Sequence, residues 1–348
     1  MKAMLLAAGF GKRMVPVTLT RAKPTLPYLN RPLLLCQIDY LRAAGIGEVV
    51  VNLHHQPRSI RNLLAMESRT DTAPSADTFH LDGVTIHLSP EAERLGTSGG
   101  LRGAAAQLRG DGTLLCLNAD MICSIDLEAM ATAHGRLGRA ATLVLVPWRE
   151  GCGHTPVHHD GSSLLGFGET GAGGHHQPGI FTGIHLLEEE ILDRLPAGRS
   201  EFLPDLYLPM LARGEPPAVV MSPDPWVELG TPSRYLAGQM NALQKSSPSI
   251  CRGHGCRVSA SAVLGPGTVL GDRVEIGAGA KIATSILMEG VRLGDNSHVR
   301  EVIAGPGTSI PGGCDVRRAV LAPAIQPSPA GGLPAGVRVW KGILRADF

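Results

Sequence analysis

A short loop near the start of the chain combines glycines and cations in a way that suits phosphate binding. Gly9-Phe10-Gly11-Lys12-Arg13 directly follows the apolar run Met4-Leu5-Leu6. Glycines let backbone N–H groups come close to an anion, and the lysine and arginine add positive charge. A dinucleotide fingerprint would need a third glycine where Met14 stands, and no P-loop Gly-Lys-Ser/Thr follows. The loop therefore predicts an anion site of another kind.

The elements that must position this loop alternate between strand-like and helix-like patterns. Strands are predicted at residues 4–8, 49–53, 84–88, 113–117, 141–146 and 181–187, and helices at residues 33–44, 100–108, 127–138 and 188–195. This alternation predicts an α/β fold with a Rossmann-like, mostly parallel, doubly wound sheet. Ligands bind beyond the carboxyl ends of such strands. We therefore expect residues 9–11, Asn118-Ala119-Asp120 and residues 96–100 to share one crevice.

The last third of the chain follows a different period. Aliphatic residues recur every six positions, at Val258, Leu264, Leu270, Ile276 and Ile282. A hexapeptide repeat of this kind predicts a left-handed parallel β-helix, in which stacked coils bury a continuous apolar column. The predicted organisation is a catalytic domain at residues 1–244, a linker at 245–257, the β-helix at 258–321 and a C-terminal tail at 322–348.

Composition narrows the range of partners and compartments. The 32 Lys and Arg residues nearly balance the 31 Asp and Glu residues, so the chain lacks the broad positive field typical of proteins that bind nucleic acid or anionic membranes. The seven cysteines are scattered and never spaced C-x-x-C, which disfavours a disulfide framework or a zinc ribbon. No apolar run approaches the length of about 18 residues that a membrane span needs. We expect a cytoplasmic protein with small-molecule ligands.

Four motifs occur in a characteristic order. They are the run from Leu6 to Leu34 with Gly9-Phe10-Gly11-Lys12-Arg13, Lys23-Pro24 and Arg31-Pro32, then Leu95-Gly96-Thr97-Ser98-Gly99-Gly100, then Asn118-Ala119-Asp120, then Trp226-Val227-Glu228-Leu229-Gly230-Thr231-Pro232. Together with the hexapeptide tail, they resemble the signature of sugar-1-phosphate nucleotidylyltransferases, also called NDP-sugar pyrophosphorylases. The run Glu93-Arg94-Leu95-Gly96-Thr97-Ser98-Gly99 is similar to the E-P-L-G-T-A-G of mannose-1-phosphate guanylyltransferases.

The resemblance implies a reaction and a role for each motif. A sugar-1-phosphate oxygen attacks the α-phosphorus of a nucleoside triphosphate and releases pyrophosphate. Arg13, Lys23 and Asp120 are then the expected catalytic residues, with Asp120 and Glu228 holding Mg²⁺. The expected nucleotide-binding residues are Ala7, Ala8, Gly9, Gly11, Lys12, Arg13, Glu93, Leu95, Gly96, Thr97, Gly99 and Asn118. The expected sugar-phosphate residues are Lys23, Asp120, Glu169, Thr182 and Gly183.

The sequence also departs from the family pattern. Glu228 stands where an aspartate is usual, and Gly168-Glu169-Thr170-Gly171 lacks the lysine with which many members grip the sugar phosphate. Glu93 favours GTP because a carboxylate can accept from guanine N1–H and N2–H, while UTP and dTTP remain alternatives. The expected sugar is mannose or a related hexose or heptose.

Three classes of function follow from these features. The favoured one is an active nucleotidylyltransferase that forms homo-oligomers through its β-helix. The second is a catalytically weak homologue that senses nucleotide sugars. The third is an additional acyltransferase activity of the β-helix, for which His298 would be the base.

Overall fold

The chain divides into two compact units that do not follow sequence order. The computed structural model describes residues 1–68, 73, 76–168, 177–245, 249–324 and 332–348. One unit, here called the sheet unit, comprises Met1–Gly9 and Leu34–Trp226. The other, here called the coil unit, comprises Phe10–Leu33 and Val227–Phe348. The chain therefore leaves the sheet unit directly after the first glycine of the phosphate loop and returns to it at Leu34.

A parallel sheet forms the centre of the sheet unit. Lys2–Leu6 pairs in parallel with Thr113–Asn118 on one side and with Glu48–Leu53 on the other. Glu48–Leu53 in turn pairs in parallel with Val84–Pro90. These strands read as nearly continuous aliphatic runs, which is typical of strands covered on both faces. The predicted α/β fold with a mixed, mostly parallel sheet is confirmed.

Antiparallel strands extend this sheet at both sides. Gly179–Glu188 runs antiparallel to Thr113–Asn118 and to Ala141–Pro147. Among the described residues, the sheet has ten strands, and the remaining ones are Pro156–His159, Leu164–Phe167, Thr78–Leu81 and Ala218–Met221. The helix expected at residues 188–195 is only Ile191–Arg194, since Glu188 still belongs to the strand and Pro196 disfavours helical backbone before it.

Helices flank the sheet, and their ends follow local signals. They are Leu33–Ala43, Pro57–Glu67, Gly96–Gly103, Ala105–Leu108, Leu127–Leu137 and Leu208–Ala212, with a π-helical turn at Leu203–Tyr207. Asp126 caps Leu127–Leu137 by accepting the Ala129 N–H at 3.0 Å, and Gly138 ends it with a φ of 57°. The helix expected to begin near residue 100 begins at Gly96, so residues 96–100 form its first turn.

Stacked three-sided coils make up most of the coil unit. Their strands are Ile250–Arg252, Arg257–Val258, Val263–Leu264, Thr268–Leu270, Glu275–Ile276, Lys281–Ala283, Ser285–Leu287, Arg292–Leu293, His298–Ala304, Ser309–Ile310 and Asp315–Pro323. The strands from Ile250–Arg252 to His298–Ala304 each pair in parallel with a strand one coil later, as Ile250 does with Thr268 and Thr268 with Ser285, so a coil takes about three hexapeptides. Leu270, Ile276 and Ile282 are buried in the apolar column, as the repeat predicts.

The end of the chain adds to this stack. Ile343–Asp347 pairs antiparallel with Asp315–Pro323, and Val337–Trp340 forms a hairpin with it. The segment predicted only as a tail thus extends the coil sheet, because Ile343 joins its apolar core. The unit also contains the helix Pro232–Gln244, the 3-10 turns Lys12–Met14, Val17–Leu19 and Lys23–Thr25, and the short strands Pro27–Tyr28 and Arg31–Pro32. The strands Met121–Cys123 and Trp226–Glu228 complete the described elements.

A buried histidine lies in the aromatic core of the sheet unit. His185 is 2% exposed, its ring contacts Phe181 and Phe202 at centroid distances of 4.6 and 4.3 Å, and its Nδ1 hydrogen-bonds the Tyr207 hydroxyl. Burial lowers the pKa of His185 from 6.5 to about 3, because the imidazolium would lose its hydration without gaining a counter-charge. The neutral ring is therefore the form that belongs to the folded state.

This histidine should make stability depend on pH. Below about pH 6.5 the unfolded chain binds a proton that the folded chain refuses until about pH 3, so stability falls as the pH drops through that window. At pH 5 the loss due to His185 should reach about 2 kcal/mol relative to pH 7. Urea unfolding at several pH values should show a shallower slope for His185→Asn. The exposed His80→Asn is the control, and equal slopes for wild type and His185→Asn would contradict the assignment.

Candidate active site

The first turn of the sheet unit is held by a buried asparagine. Asn52 is 2% exposed at the end of Glu48–Leu53, and its Oδ1 accepts the N–H groups of Ala7 at 2.6 Å and Ala8 at 3.3 Å. Parallel pairing with Lys2–Leu6 brings the two strand ends together. The backbone at Ala7 and Ala8, expected to contact the nucleotide, is thus fixed by a side chain before the chain reaches Gly9.

A buried carboxylate extends this contact to the loop expected to bind the base. Asn52 Nδ2 donates to Glu91 Oε1 at 2.6 Å, and Glu91 Oε2 accepts the Leu95 N–H at 2.9 Å. A Cβ on Gly100 would lie 2.6 Å from Asn52 Nδ2 and 2.7 Å from Glu91 Oε1, so only glycine allows the helix to approach. Glu91 is 8% exposed. We call this connection the Asn52–Glu91 bridge.

The other side of the same loop is fixed by residues 200–201. Glu201 Oε2 accepts two hydrogen bonds from Thr97, one from its backbone N–H at 2.9 Å and one from its Oγ1 hydroxyl at 2.8 Å. Ser200 N–H donates to Leu95 O at 2.8 Å, and Gly99 N–H donates to Ser200 O at 3.2 Å. The loop with Leu95, Gly96, Thr97 and Gly99 is therefore held between a buried network and a partly buried one, while Glu93 is exposed.

The residues expected around the sugar phosphate lie along a second edge of the sheet unit. Gly183 contacts the side chain of Asn118 directly. Thr182 is buried, with its Oγ1 donating to Val144 O at 2.7 Å and its carbonyl accepting from Trp226 Nε1 at 2.9 Å. A register shift in the pairing of Gly179–Glu188 with Ala141–Pro147 falls at this point and permits the arrangement. Glu169 lies outside the described residues.

The rest of the phosphate loop belongs to the coil unit. Gly11 has a φ of 63°, and its carbonyl accepts from Thr18 Oγ1 at 2.9 Å. Lys23 is only 7% exposed and lies beside Gly11. Lys12 is exposed, with its ammonium 5.4 Å from the centre of the Phe10 ring. A buried lysine next to a glycine turn is a suitable arrangement for gripping a phosphate.

The coil stack anchors the backbone on both sides of Lys23. Arg21 forms an ion pair of 2.6 Å with Glu289, which belongs to the coils. Asn30 Nδ2 donates to Leu270 O at 2.8 Å, and Gln239 Oε1 accepts the Leu29 N–H at 3.1 Å. The coils thereby support the segment that carries Lys23.

Glu228 lies between two arginines of the coil unit. Its Oε1 accepts from Arg13 Nη2 at 3.1 Å, and its Oε2 accepts from Arg234 Nη1. The side chains of Arg13, Glu228 and Arg234 are 61%, 17% and 27% exposed. Any Cβ on Gly230 would overlap the Glu228 carboxylate and come within 2.8 Å of Arg13 Nη2. We call these three side chains the Glu228 triad.

The two carboxylates expected to hold Mg²⁺ therefore have different surroundings. Asp120 is half-buried in the turn after Thr113–Asn118, whereas both Glu228 oxygens accept from guanidiniums. Mg²⁺ in proteins is commonly held by one or two carboxylates, with phosphate and water oxygens completing its shell. Asp120 is a carboxylate of the kind that Mg²⁺ uses, and a metal on Glu228 would have to displace two arginines. Within the described ranges, no group of three or more His, Cys, Asp and Glu side chains is arranged to hold a metal.

Each unit gathers part of the expected residue set. The sheet unit brings Ala7, Ala8 and the Leu95 loop to the Asn52–Glu91 bridge, and the coil unit brings Gly11 and Lys23 together. Sequence reasoning missed four contributing residues, namely Asn52, Glu91, Glu201 and Arg234. Asn52 and Glu91 carried a signal, since each is a polar residue at the end of an apolar strand. Glu201 carried none, because its partner Thr97 is remote in sequence.

Comparison with known proteins identifies the family. The family model described as "Nucleotidyl transferase" matches residues 2–245, and the model described as "GMPPB C-terminal domain" matches residues 247–328. This chain belongs to the nucleotidyl transferase family. The family prediction made from the four motifs is confirmed. No helix in the described part of this nucleotidyl transferase is long and apolar enough to cross a membrane.

Individual relatives agree with the family model. The chain is 29% identical over 329 residues to the probable mannose-1-phosphate guanylyltransferase 2 of Arabidopsis thaliana, covering 88% of this chain and 86% of that protein. It is 29% identical over 306 residues to the mannose-1-phosphate guanylyltransferase of Mycobacterium tuberculosis, covering 84% and 80%. HddC from Yersinia pseudotuberculosis complexed with GMP-PN has a similar fold, with a TM-score of 0.56 at 19% identity, over 69% of this chain and 99% of that one.

The Asn52–Glu91 bridge gives a testable prediction about nucleotide use. In Glu91→Gln, the single amide oxygen accepts only one of the two hydrogen bonds, and the amide N–H₂ faces the other donor. Losing a buried charge-assisted hydrogen bond costs about 1.5–3 kcal/mol, so kcat/KM for the nucleotide should fall about 10- to 100-fold.

The control is Glu48→Gln, at the opposite end of the strand that carries Asn52. Glu48 is exposed and pairs with Lys2 at 3.3 Å, an interaction worth little in solvent. Steady-state kinetics should place this variant within about twofold of wild type. Equal kinetic effects of the two substitutions would remove the special role of Glu91.

Proposed function

We propose that this nucleotidyl transferase moves a guanylyl group from GTP to mannose-1-phosphate or a closely related hexose or heptose 1-phosphate, giving an NDP-sugar and pyrophosphate. The observation that carries the proposal is the similarity across both units to proteins named mannose-1-phosphate guanylyltransferase. The loop expected to bind the base supports the choice of GTP, because Glu93 supplies an exposed carboxylate next to residues that are fixed by hydrogen bonds.

The residues present suit a reaction in which two polyanions must be brought together. Catalysis of phosphoryl and nucleotidyl transfer is mainly positioning and charge neutralisation. Lys23 and Arg13 are the cations for the triphosphate, with Lys23 held in a buried position and Arg13 exposed. No general base is required, since a sugar phosphate with a second pKa near ~6 is already mostly dianionic at neutral pH. The proposed sugar-phosphate residues are Lys23, Asp120, Glu169, Thr182 and Gly183.

Asp120 is the carboxylate proposed to hold Mg²⁺. A divalent ion bound there would supply positive charge that offsets the repulsion between the phosphates. The placement of Asp120 after a central parallel strand supports this role, because ligands of such sheets collect at the carboxyl ends of the strands.

Further properties complete the proposal. The coil stack is proposed to be a left-handed β-helix and to mediate self-association, for which the exposed Val263 and Val339 are suitable apolar contacts. The protein is proposed to act in the cytoplasm, because its seven cysteines, all within the described residues, form no disulfide bond. A nucleotide-sugar sensor with weak catalysis is the second candidate, and the pairing of Glu228 with two arginines favours it.

A matrix of nucleoside triphosphates against sugar-1-phosphates, read by pyrophosphate release, tests the function. GTP with mannose-1-phosphate should give the highest kcat/KM, and Asp120→Asn should lower kcat by about 100-fold or more, because the metal-held charge is worth several kcal/mol. Asp77→Asn, an exposed carboxylate of the sheet unit, is the matched control. A blank matrix combined with tight NDP-sugar binding would establish the sensor instead.

Base choice is tested by one substitution. Glu93→Gln removes an acceptor for guanine N–H groups and should reduce the preference for GTP over UTP by about tenfold, as one hydrogen bond to a charged group is worth about 1.5–3 kcal/mol. The preference is measured as the ratio of the kcat/KM values for GTP and UTP. An unchanged ratio would mean that another group reads the base.

A further inference from the structure

A polar side chain lies on the buried face of the helix Leu33–Ala43. Leu34, Ile38 and Leu41 form the apolar stripe of this helix and are between 0% and 3% exposed. Gln37 lies in the same stripe and is 1% exposed. An amphipathic helix normally carries an apolar residue at such a position, because a polar group loses its hydration there. Gln37 is therefore best explained by the contact that its amide makes.

The amide of Gln37 holds the backbone directly after Asp120. Gln37 Nε2 donates to the carbonyl oxygen of Met121, the first residue of the strand Met121–Cys123. A carbonyl can only accept, so this contact decides which end of the amide faces the strand. Gln37 Oε1 is buried as well, and no donor among the described residues reaches it. Because a buried acceptor without a partner is costly, the amide adds little net stability, and its distinct effect is to fix the Met121 carbonyl.

The backbone directly before Asp120 is held by the central sheet. The Ala119 N–H donates to Leu6 O at 3.2 Å, at the end of the strand Lys2–Leu6. Ala119 and Met121 are each 1% exposed, whereas Asp120 between them is half-buried. Both chain neighbours of Asp120 are thus anchored, one by the sheet and one by the helix, and the carboxylate extends from a fixed turn.

We propose that Gln37 is a positioning residue for Asp120, and that its amide, together with the Leu6 carbonyl, fixes the turn from which the Asp120 carboxylate binds Mg²⁺. The inference rests on the proposed function for the role of Asp120. Gln37 acts through the backbone of Met121, and its effect is on where the carboxylate lies. Removing a side chain that orients a metal ligand commonly lowers metal affinity or activity by about 10- to 100-fold.

Metal affinity tests this role without turnover. Mn²⁺ binding to the complex of the full chain with GTP is measured by electron paramagnetic resonance. Gln37→Met replaces the amide by an unbranched apolar side chain of similar length and should lower the Mn²⁺ affinity about tenfold. Asp120→Asn should lower it at least as much. A Gln37→Met protein that binds Mn²⁺ as tightly as wild type would overturn the inference.

Tyr40→Phe is the matched control. Tyr40 extends from the same helix, and its hydroxyl donates to the carbonyl oxygen of Ile125, which lies beyond the strand Met121–Cys123. The variant loses a side-chain-to-carbonyl bond of the same kind, so its urea midpoint of unfolding should fall, but its Mn²⁺ affinity should stay within about twofold of wild type. Equal losses of Mn²⁺ affinity in Tyr40→Phe and Gln37→Met would leave Gln37 with a general packing role only.

A double-variant cycle shows whether Gln37 acts through Asp120. Gln37→Met should lower kcat about tenfold when Asp120 is present and less than about twofold when Asp120→Asn has already been made. Two side chains that act independently would give the same ratio in both backgrounds, and that result would contradict the proposal. If Gln37→Met does not fold, Gln37→Asn takes its place, because its amide is one methylene short of the Met121 carbonyl and the same losses are expected.

These outcomes are distinguishable from failure of the proposed function. Mn²⁺ affinity that falls in Asp120→Asn but not in Gln37→Met removes the inference and leaves the function intact. If no substrate pair turns over but Gln37→Met still weakens Mn²⁺ binding, the function fails and the positioning role stands. Unchanged Mn²⁺ affinity in both variants removes the metal role of Asp120 and the inference with it.

Discussion

The buried carboxylate of Glu91 connects three segments that are far apart in the sequence. Through Asn52 it reaches the backbone of Ala7 and Ala8, and through its second oxygen it holds the start of the helix Gly96–Gly103. Asn52, Ala7 and Ala8 are buried, so a broken bond there leaves a polar group without water and costs more than the bond itself contributes. The turn that begins the phosphate loop and the loop expected to bind the base are thus fixed together by two side chains. Removing either side chain would break the connection between these two segments.

A second constraint is the way the chain is shared between its two units. The N–H groups of Ala7 and Ala8 belong to the sheet unit, but Lys23 and Arg13 belong to the coil unit and are supported by coil residues such as Glu289 and Leu270. Contacts that stabilise the coil stack therefore also stabilise the backbone around the cations. The C-terminal repeat thereby supports the backbone segment that carries Lys23, apart from any role in self-association.

Sequence predicted the parts of the structure that are dictated by local pattern. Aliphatic runs such as Val49-Val50-Val51 identified the parallel strands, because a strand that is buried on both faces needs apolar residues at successive positions. The spacing of Leu270, Ile276 and Ile282 identified the coils, because burial in one column requires an apolar residue every six positions. The C-terminal hairpin was missed because its strands are short and half-exposed. Contacts between residues that are far apart in the sequence, such as Glu201 and Thr97, produce no pattern from which they could be predicted.

The glutamate at position 228, where an aspartate is usual, shows that a matching motif does not establish which contacts a side chain makes. The motif alone assigns Glu228 the role of its shorter counterpart, since charge is preserved. The structure adds Arg234 and Gly230: the carboxylate has two guanidinium partners, and a side chain at position 230 would overlap it. Glu228 and Arg234 are therefore best considered as a pair, because the carboxylate of one accepts from the guanidinium of the other.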